Sequence, residues 1–186
     1  MPFVQIQLND IKFNPKVQFM CVSPSFSCPS YNHTWSCPPV APYLEEEVKK
    51  YSKFFLIYSK FDLASHIEQV KEKHPKWSEL KIKFKYQMKS AIHNDLVKEV
   101  TKFLEQYKEP YEKRLVLYDG FCRVCHNKED GGCTYDSGKP CRYPDQRRYS
   151  MEAVGIEVIR TVIESNVDIG YPSKKYDYRF GLVCFN

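Results

Sequence analysis

The sequence has no run of about 18 apolar residues, so no membrane-spanning helix is read from it. Its first residues, MPFVQIQLNDIKFNPK, lack a basic stretch followed by an apolar core and a small-residue cleavage site, the pattern of a secretory signal. The expectation is a cytoplasmic protein, a setting in which thiols stay reduced. Catalytic signatures are missing too: no glycine loop for phosphate, no G-x-S-x-G elbow and no H-E-x-x-H zinc helix. No internal repeat is evident, and no cysteine lies between Cys37 and Cys122.

What is present suffices for one domain spanning residues 1–186. Hydrophobic residues make up 42% and aromatic residues 15%, enough for a core and too many for a disordered chain. The formal charge of +5 is spread among acidic neighbours, as in EEEVKK and VKEKH, which reads as a solvated surface. Nucleic acid is not an expected partner, and an anionic metal–thiolate group would offset part of the charge.

The pattern along the chain predicts interleaved strands and helices. Residues 17–22 (VQFMCV) read as a short strand delivering Cys21, and 23–43, rich in proline and serine, as irregular backbone. Glu45 to Lys50 suits a short helix and KFFLIY (53–58) a buried strand. Ile82, Phe84, Tyr86 and Met88 alternate with lysine and glutamine, the signature of a half-buried strand; the alternative is the start of a long helix. From Ser90 a helix presents Ile92, Leu96, Val100, Phe103, Leu104 and Tyr107 on one face until Pro110. RLVLYDG (114–120) reads as a strand and turn leading into Cys122. Ser150 is a plausible N-cap for a helix over 151–164, and FGLVCF a last strand carrying Cys184. The fold class expected is α/β or α+β, a sandwich of a mixed sheet and a few helices. Two cysteine-rich metal loops, at about 21–43 and 121–145, would sit at one end.

The eight cysteines carry the chemistry. Cys122, Cys125, Cys133 and Cys141 lie on one glycine-bearing loop; two residues separate the first pair and seven each following pair. Four thiolates suit tetrahedral zinc or a four-iron cluster. Both remain open on spacing; Lys139 and Arg142 put positive charge beside the anionic sulfur of Cys141, which tilts the reading to the cluster. Cys122-Arg-Val-Cys125-His126 also matches the attachment motif of a c-type haem, but that leaves Cys133 and Cys141 unexplained. A thioredoxin-like pair is disfavoured because the residues after Cys125 break a helix.

Cys21, Cys28 and Cys37 form C-x6-C-x8-C, one ligand short of a full set. Cys184 and His33 are the possible fourth ligands. The preferred readings are a small apolar strand residue for Cys184 and a hydrogen-bonding loop residue for His33. Trp35, Tyr31 and Phe26 would shield the site from water, with Tyr143 and Tyr149 packing over the loop. His66, His74 and His93 read as surface residues. Arg142, Arg147 and Arg148 read as solvated, the alternative being contact with an anionic substrate or partner near the metal.

In order along the chain come Cys37-Pro38-Pro39, the C-x-x-C of Cys122 and Cys125, Cys141-Arg142-Tyr143-Pro144, and Ser150-Met151-Glu152-Ala153-Val154-Gly155-Ile156-Glu157. In these segments, from about Cys21 to Gly170, the chain resembles an uncharacterised family known only as predicted metal-binding proteins. The resemblance implies that Cys21, Cys28, Cys37, Cys122, Cys125, Cys133 and Cys141 are metal or iron–sulfur ligands. Family members usually have a shorter gap before the third cysteine of the second group, so the insert HNKEDGG makes Cys133 the least certain of the seven.

The expected function is that of an iron–sulfur protein. One 4Fe-4S cluster would sit on Cys122, Cys125, Cys133 and Cys141. A second, or a share of the same site, would sit on Cys21, Cys28 and Cys37. Electron transfer to a redox partner protein is the most economical task for it. The alternatives are an enzyme working through an open cluster iron, by Lewis acidity or sulfur transfer, and a structural zinc-binding interaction module.

Overall fold

The computed structural model describes residues 2–23, 26–87, 90–128, 131–167 and 175–186, with the side chains at positions 26 and 90 left aside. Six strands run through it: β1 (Phe3–Ile6), β2 (Val22–Ser23), β3 (Phe26–Ser27), β4 (Lys53–Asp62), β5 (Arg114–Leu117) and β6 (Tyr176–Phe185). The helices are α1 (Glu45–Val48), α2 (Leu63–Lys73), α3 (Glu79–Gln87), α4 (Ser90–Gln106), α5 (Val124–Asn127) and α6 (Val158–Glu164).

The two apolar runs expected as strands form the centre of a four-stranded sheet of order β1-β4-β6-β5. β4 and β6 pair over their whole length, from Lys53 opposite Phe185 to Asp62 opposite Tyr176. Every pairing is antiparallel, so the expected mixed sheet is corrected to an antiparallel one and the class is α+β. The strand period of two sends side chains to opposite faces. Phe55, Ile57, Val183 and Phe185 pack against Leu96, Val100 and Phe103 of α4. Phe54, Leu56, Leu182 and Cys184 face the second core, with Val48, Met151, Val154, Ile156 and Val162. At one point the packing leaves no room for a side chain: a Cβ on Gly181 would stand 2.7 Å from the Leu117 carbonyl oxygen.

Four expectations change. Residues 17–22 do not form a strand. Pro15 opens a 3-10 turn, Pro15–Phe19, capped by the Asn14 side chain, and β2 starts only at Val22. Residues 82–87 are helical in α3, because the buried pair is Ile82 and Tyr86, spaced i and i+4, while Phe84 stays 60% exposed; Met88 lies outside the described residues. Instead of one helix over 151–164, a 3-10 turn Glu152–Val154 ends at Gly155 with φ +92°, and α6 begins at Val158. The cap position of that turn is Met151, while Ser150, one residue earlier, accepts from the Ala153 amide at 3.1 Å. His93 is buried, with its ring nitrogen Nδ1 2.5 Å from Asp119.

The segment 150–156 braces the bases of both cysteine loops. Tyr118, at the end of β5, donates to Tyr149 O at 2.8 Å and accepts from Met151 N at 3.1 Å, so the second loop leaves and returns at one point. Gln18 donates to Ala41 O and Ala153 O, at 3.0 and 2.8 Å, closing the first loop. Leu44 N bonds Val154 O and Asn14 N bonds Gly155 O. Met151, Val154 and Ile156 are fully buried, which holds the brace on the core. No helix among the described residues is long and apolar enough to cross a membrane.

Candidate metal centre

β2 and β3 make a minimal hairpin with Cys21 and Cys28 at its open end, where the Cys28 amide bonds the Cys21 carbonyl at 2.8 Å. Cys37 follows a turn in which its amide bonds Thr34 O, and a cis Pro38–Pro39 peptide leads the chain away. Charge on Cys28 or Cys37 acts on Cys21. Burial pushes the Cys21 thiol up to about 11 and raises that of Cys37. A metal entering here must displace those protons, since the thiolate is the ligand.

The second set is assembled on the loop closed at Tyr118. Gly120, with φ +61°, turns the chain into Cys122, and one-turn α5 carries Cys125. Arg142 donates to Gly132 O at 2.7 Å and Thr134 to Pro140 O at 2.8 Å, folding the stretch from Cys133 to Cys141 on itself. Cys122, Cys125, Cys133 and Cys141 all line one cavity, with Trp35, Ser36, Val124, Tyr143 and Arg147 completing the wall.

The two loops meet. Buried Ser36 accepts the Cys122 amide at 3.0 Å, Trp35 Nε1 donates to Lys139 O at 3.1 Å, and Tyr135 donates to Asn32 at 2.7 Å. Trp35 stands edge-on to Tyr135 at 5.0 Å, and His33 Nδ1 lies 2.9 Å from Asp136. Cys37 and Cys122 are close enough for the charge of one to act on the other. Four thiols thus line one cavity, and the first loop, with its three, is tied to it beside Cys122. The eighth, Cys184, sits in mid-sheet opposite Phe54 and Leu115, fully buried, its thiol pushed far up by desolvation.

All eight cysteines are free thiols. Among the described residues no three His, Cys, Asp or Glu side chains are arranged around a single ion. The donor set nonetheless fits a soft metal: it is all sulfur, and the cavity carries an unmatched cation. Arg147 Nε is buried without a hydrogen-bond partner, as is Nε of Arg123, whose guanidinium feels the charge of Cys122 and Cys37. An anionic metal–thiolate group supplies what such donors lack.

The profile of the family described as "Predicted metal-binding protein (DUF2284)" matches residues 4–185. The chain belongs to that family. No curated protein and no solved structure matches it. Of the residues singled out in the sequence, Trp35 lines the cavity of the four cysteines and His33 is engaged with Asp136. The side chain of Phe26, expected as a shield, lies outside the described residues, as do Glu129 and Asp130 of the insert. The His93–Asp119 pair was missed, because a histidine on an amphipathic helix gives no sign of burial until its partner is known.

Proposed function

We propose that this protein binds iron–sulfur clusters on its two joined cysteine loops and passes electrons to a partner protein. The observation that supports the reading is the meeting of the two loops, which carry seven cysteines between them, through Ser36 and the Cys122 amide. One tetrahedral zinc takes four thiolates, so a single structural zinc leaves three without a task. Cys122, Cys125, Cys133 and Cys141 are a complete set for one 4Fe-4S cluster. Such a cluster, when bound, supplies one-electron redox chemistry. Arg147 and Arg123 would hold its negative charge, and Trp35 would exclude water on the side of the first loop. Exposed Phe19, Met20 and Val22 flank Cys21 and offer an apolar surface to the partner.

A second reading is favoured by one observation. Among the described residues Cys21, Cys28 and Cys37 have no fourth ligand to spare, since Cys184 is locked in the sheet, His33 is engaged with Asp136 and Cys122 belongs to the second set. A cluster on three thiols keeps one iron open to a small ligand, which suits an enzyme.

Anaerobic purification followed by metal and sulfide analysis tests the proposal. The expected result is a coloured protein with iron and acid-labile sulfide in equal amounts. A colourless protein holding zinc and no sulfide overturns it.

A further inference from the structure

β5 is the outer strand at one end of the sheet, and the segment 144–149, returning from Cys141, runs beside it. Between them lies a groove of about 520 Å³, within the range of small-molecule sites. Its described walls carry four cations, Arg114, Lys128, Arg147 and Arg148, against one carboxylate, Asp145. None of the four forms a salt bridge with a described carboxylate. On other parts of the surface Lys50, Lys53, Lys98 and Lys102 each hold a carboxylate within 3.0 Å; what sets the groove apart is that four cations share one wall with a single carboxylate.

The guanidinium groups of Arg147 and Arg148 are instead laid over the rings of Tyr149 and Tyr118, at 5.1 and 4.9 Å. Stacking on a ring leaves their N–H edges available to an acceptor. Position adds to the charge. Val124 and Arg147 belong both to this groove and to the cavity of Cys122, Cys125, Cys133 and Cys141. At its other end Tyr118, Asn127 and Arg148 are shared with a small cavity holding the buried His93–Asp119 pair.

We propose that the groove between β5 and residues 144–149 binds a small molecule bearing carboxylate or phosphate groups and holds it beside the cysteine cavity. Arginine edges and a lysine match the planar or tetrahedral oxygen sets of such groups. A neutral apolar ligand would leave four cations facing one another across the groove. The inference rests on the groove and its charge, so it stands apart from the identity of the metal.

Calorimetric titration with citrate and with pyrophosphate, on the metal-loaded protein at 0.15 M salt, tests it. One of the two probes is expected to bind with one-to-one stoichiometry. Arg148→Gln and Arg114→Gln should each weaken it about tenfold, while Lys102→Gln, which removes the same charge from α4, leaves it within twofold. Metal content and thermal unfolding, measured on every variant, keep the site separate from the metal centre; Arg114→Gln, on the exposed edge strand, serves if Arg148→Gln does not fold. Absence of binding by both probes overturns the proposal. So does equal weakening in Lys102→Gln, which means diffuse charge only, and so does a loss of binding that appears only together with a loss of metal.

Discussion

Ser36 Oγ accepts the backbone N–H of Cys122 at 3.0 Å, a bond between residues 86 apart in the chain. Ser36 is 1% exposed, so neither water nor a loop movement readily replaces it. Through this bond the first cysteine loop fixes the entry point of the second.

Ser36→Ala removes the acceptor and leaves a partly buried amide unpaired. A loss of about 1–3 kcal/mol in unfolding free energy is expected, together with weaker metal retention during dialysis against a chelator. Unchanged melting temperature and unchanged retention would show that the loops are held together by other contacts.

Cys122→Ala and Cys184→Ala should behave in opposite ways. The first removes a thiol from the cavity wall, and metal content should fall while the fold loses stability. The second trims a small apolar group from the sheet. Metal content stays the same, and the cost is about 1 kcal/mol. Metal analysis of the two purified variants checks the pair, and retained metal in Cys122→Ala would refute its role as a ligand.

His93→Ala tests the buried polar pair. His93 and Asp119 side chains are each 10% exposed and 2.5 Å apart, so truncating the histidine strands a carboxylate away from water. The expected destabilisation is about 3 kcal/mol, by chemical denaturation. A value under 0.5 kcal/mol would mean that Asp119 finds water or another donor without cost.

Much of the sheet and of α4 was legible, because Phe55, Ile57, Val183 and Leu96, Val100, Phe103 repeat with the periods of strand and helix. Where lysines alternate with apolar residues, as from Ile82 to Tyr86, both periods fit, and only packing on the rest of the molecule selects the helix. Val17 and Gln18 misled for another reason. Gln18 is a polar side chain spent on two backbone carbonyls, Ala41 and Ala153, and no periodic pattern announces such a tie. The grouping of the cysteines was plain, but their meeting was not. It depends on single bonds from Ser36, Trp35 and Asn32, residues that look like ordinary loop composition. Gly155 is similar. Its motif stood out, yet its task is geometric: φ is +92°, and a Cβ there would come within 2.3 Å of the Tyr43 ring.

The order of the elements has a consequence for how the protein is made. β6 lies between β4 and β5 in the sheet, yet it follows both cysteine loops along the chain. At a synthesis rate of about 5–20 residues per second, Cys37 leaves the ribosome several seconds before Cys122. Neither loop has its scaffold until β6 has emerged and inserted. Through that interval the first three thiols are unprotected, open to oxidants and to whichever soft metal arrives first. On the proposed function, loading is a step on the finished fold, and a delivery system would have to recognise the assembled pair of loops rather than either one alone.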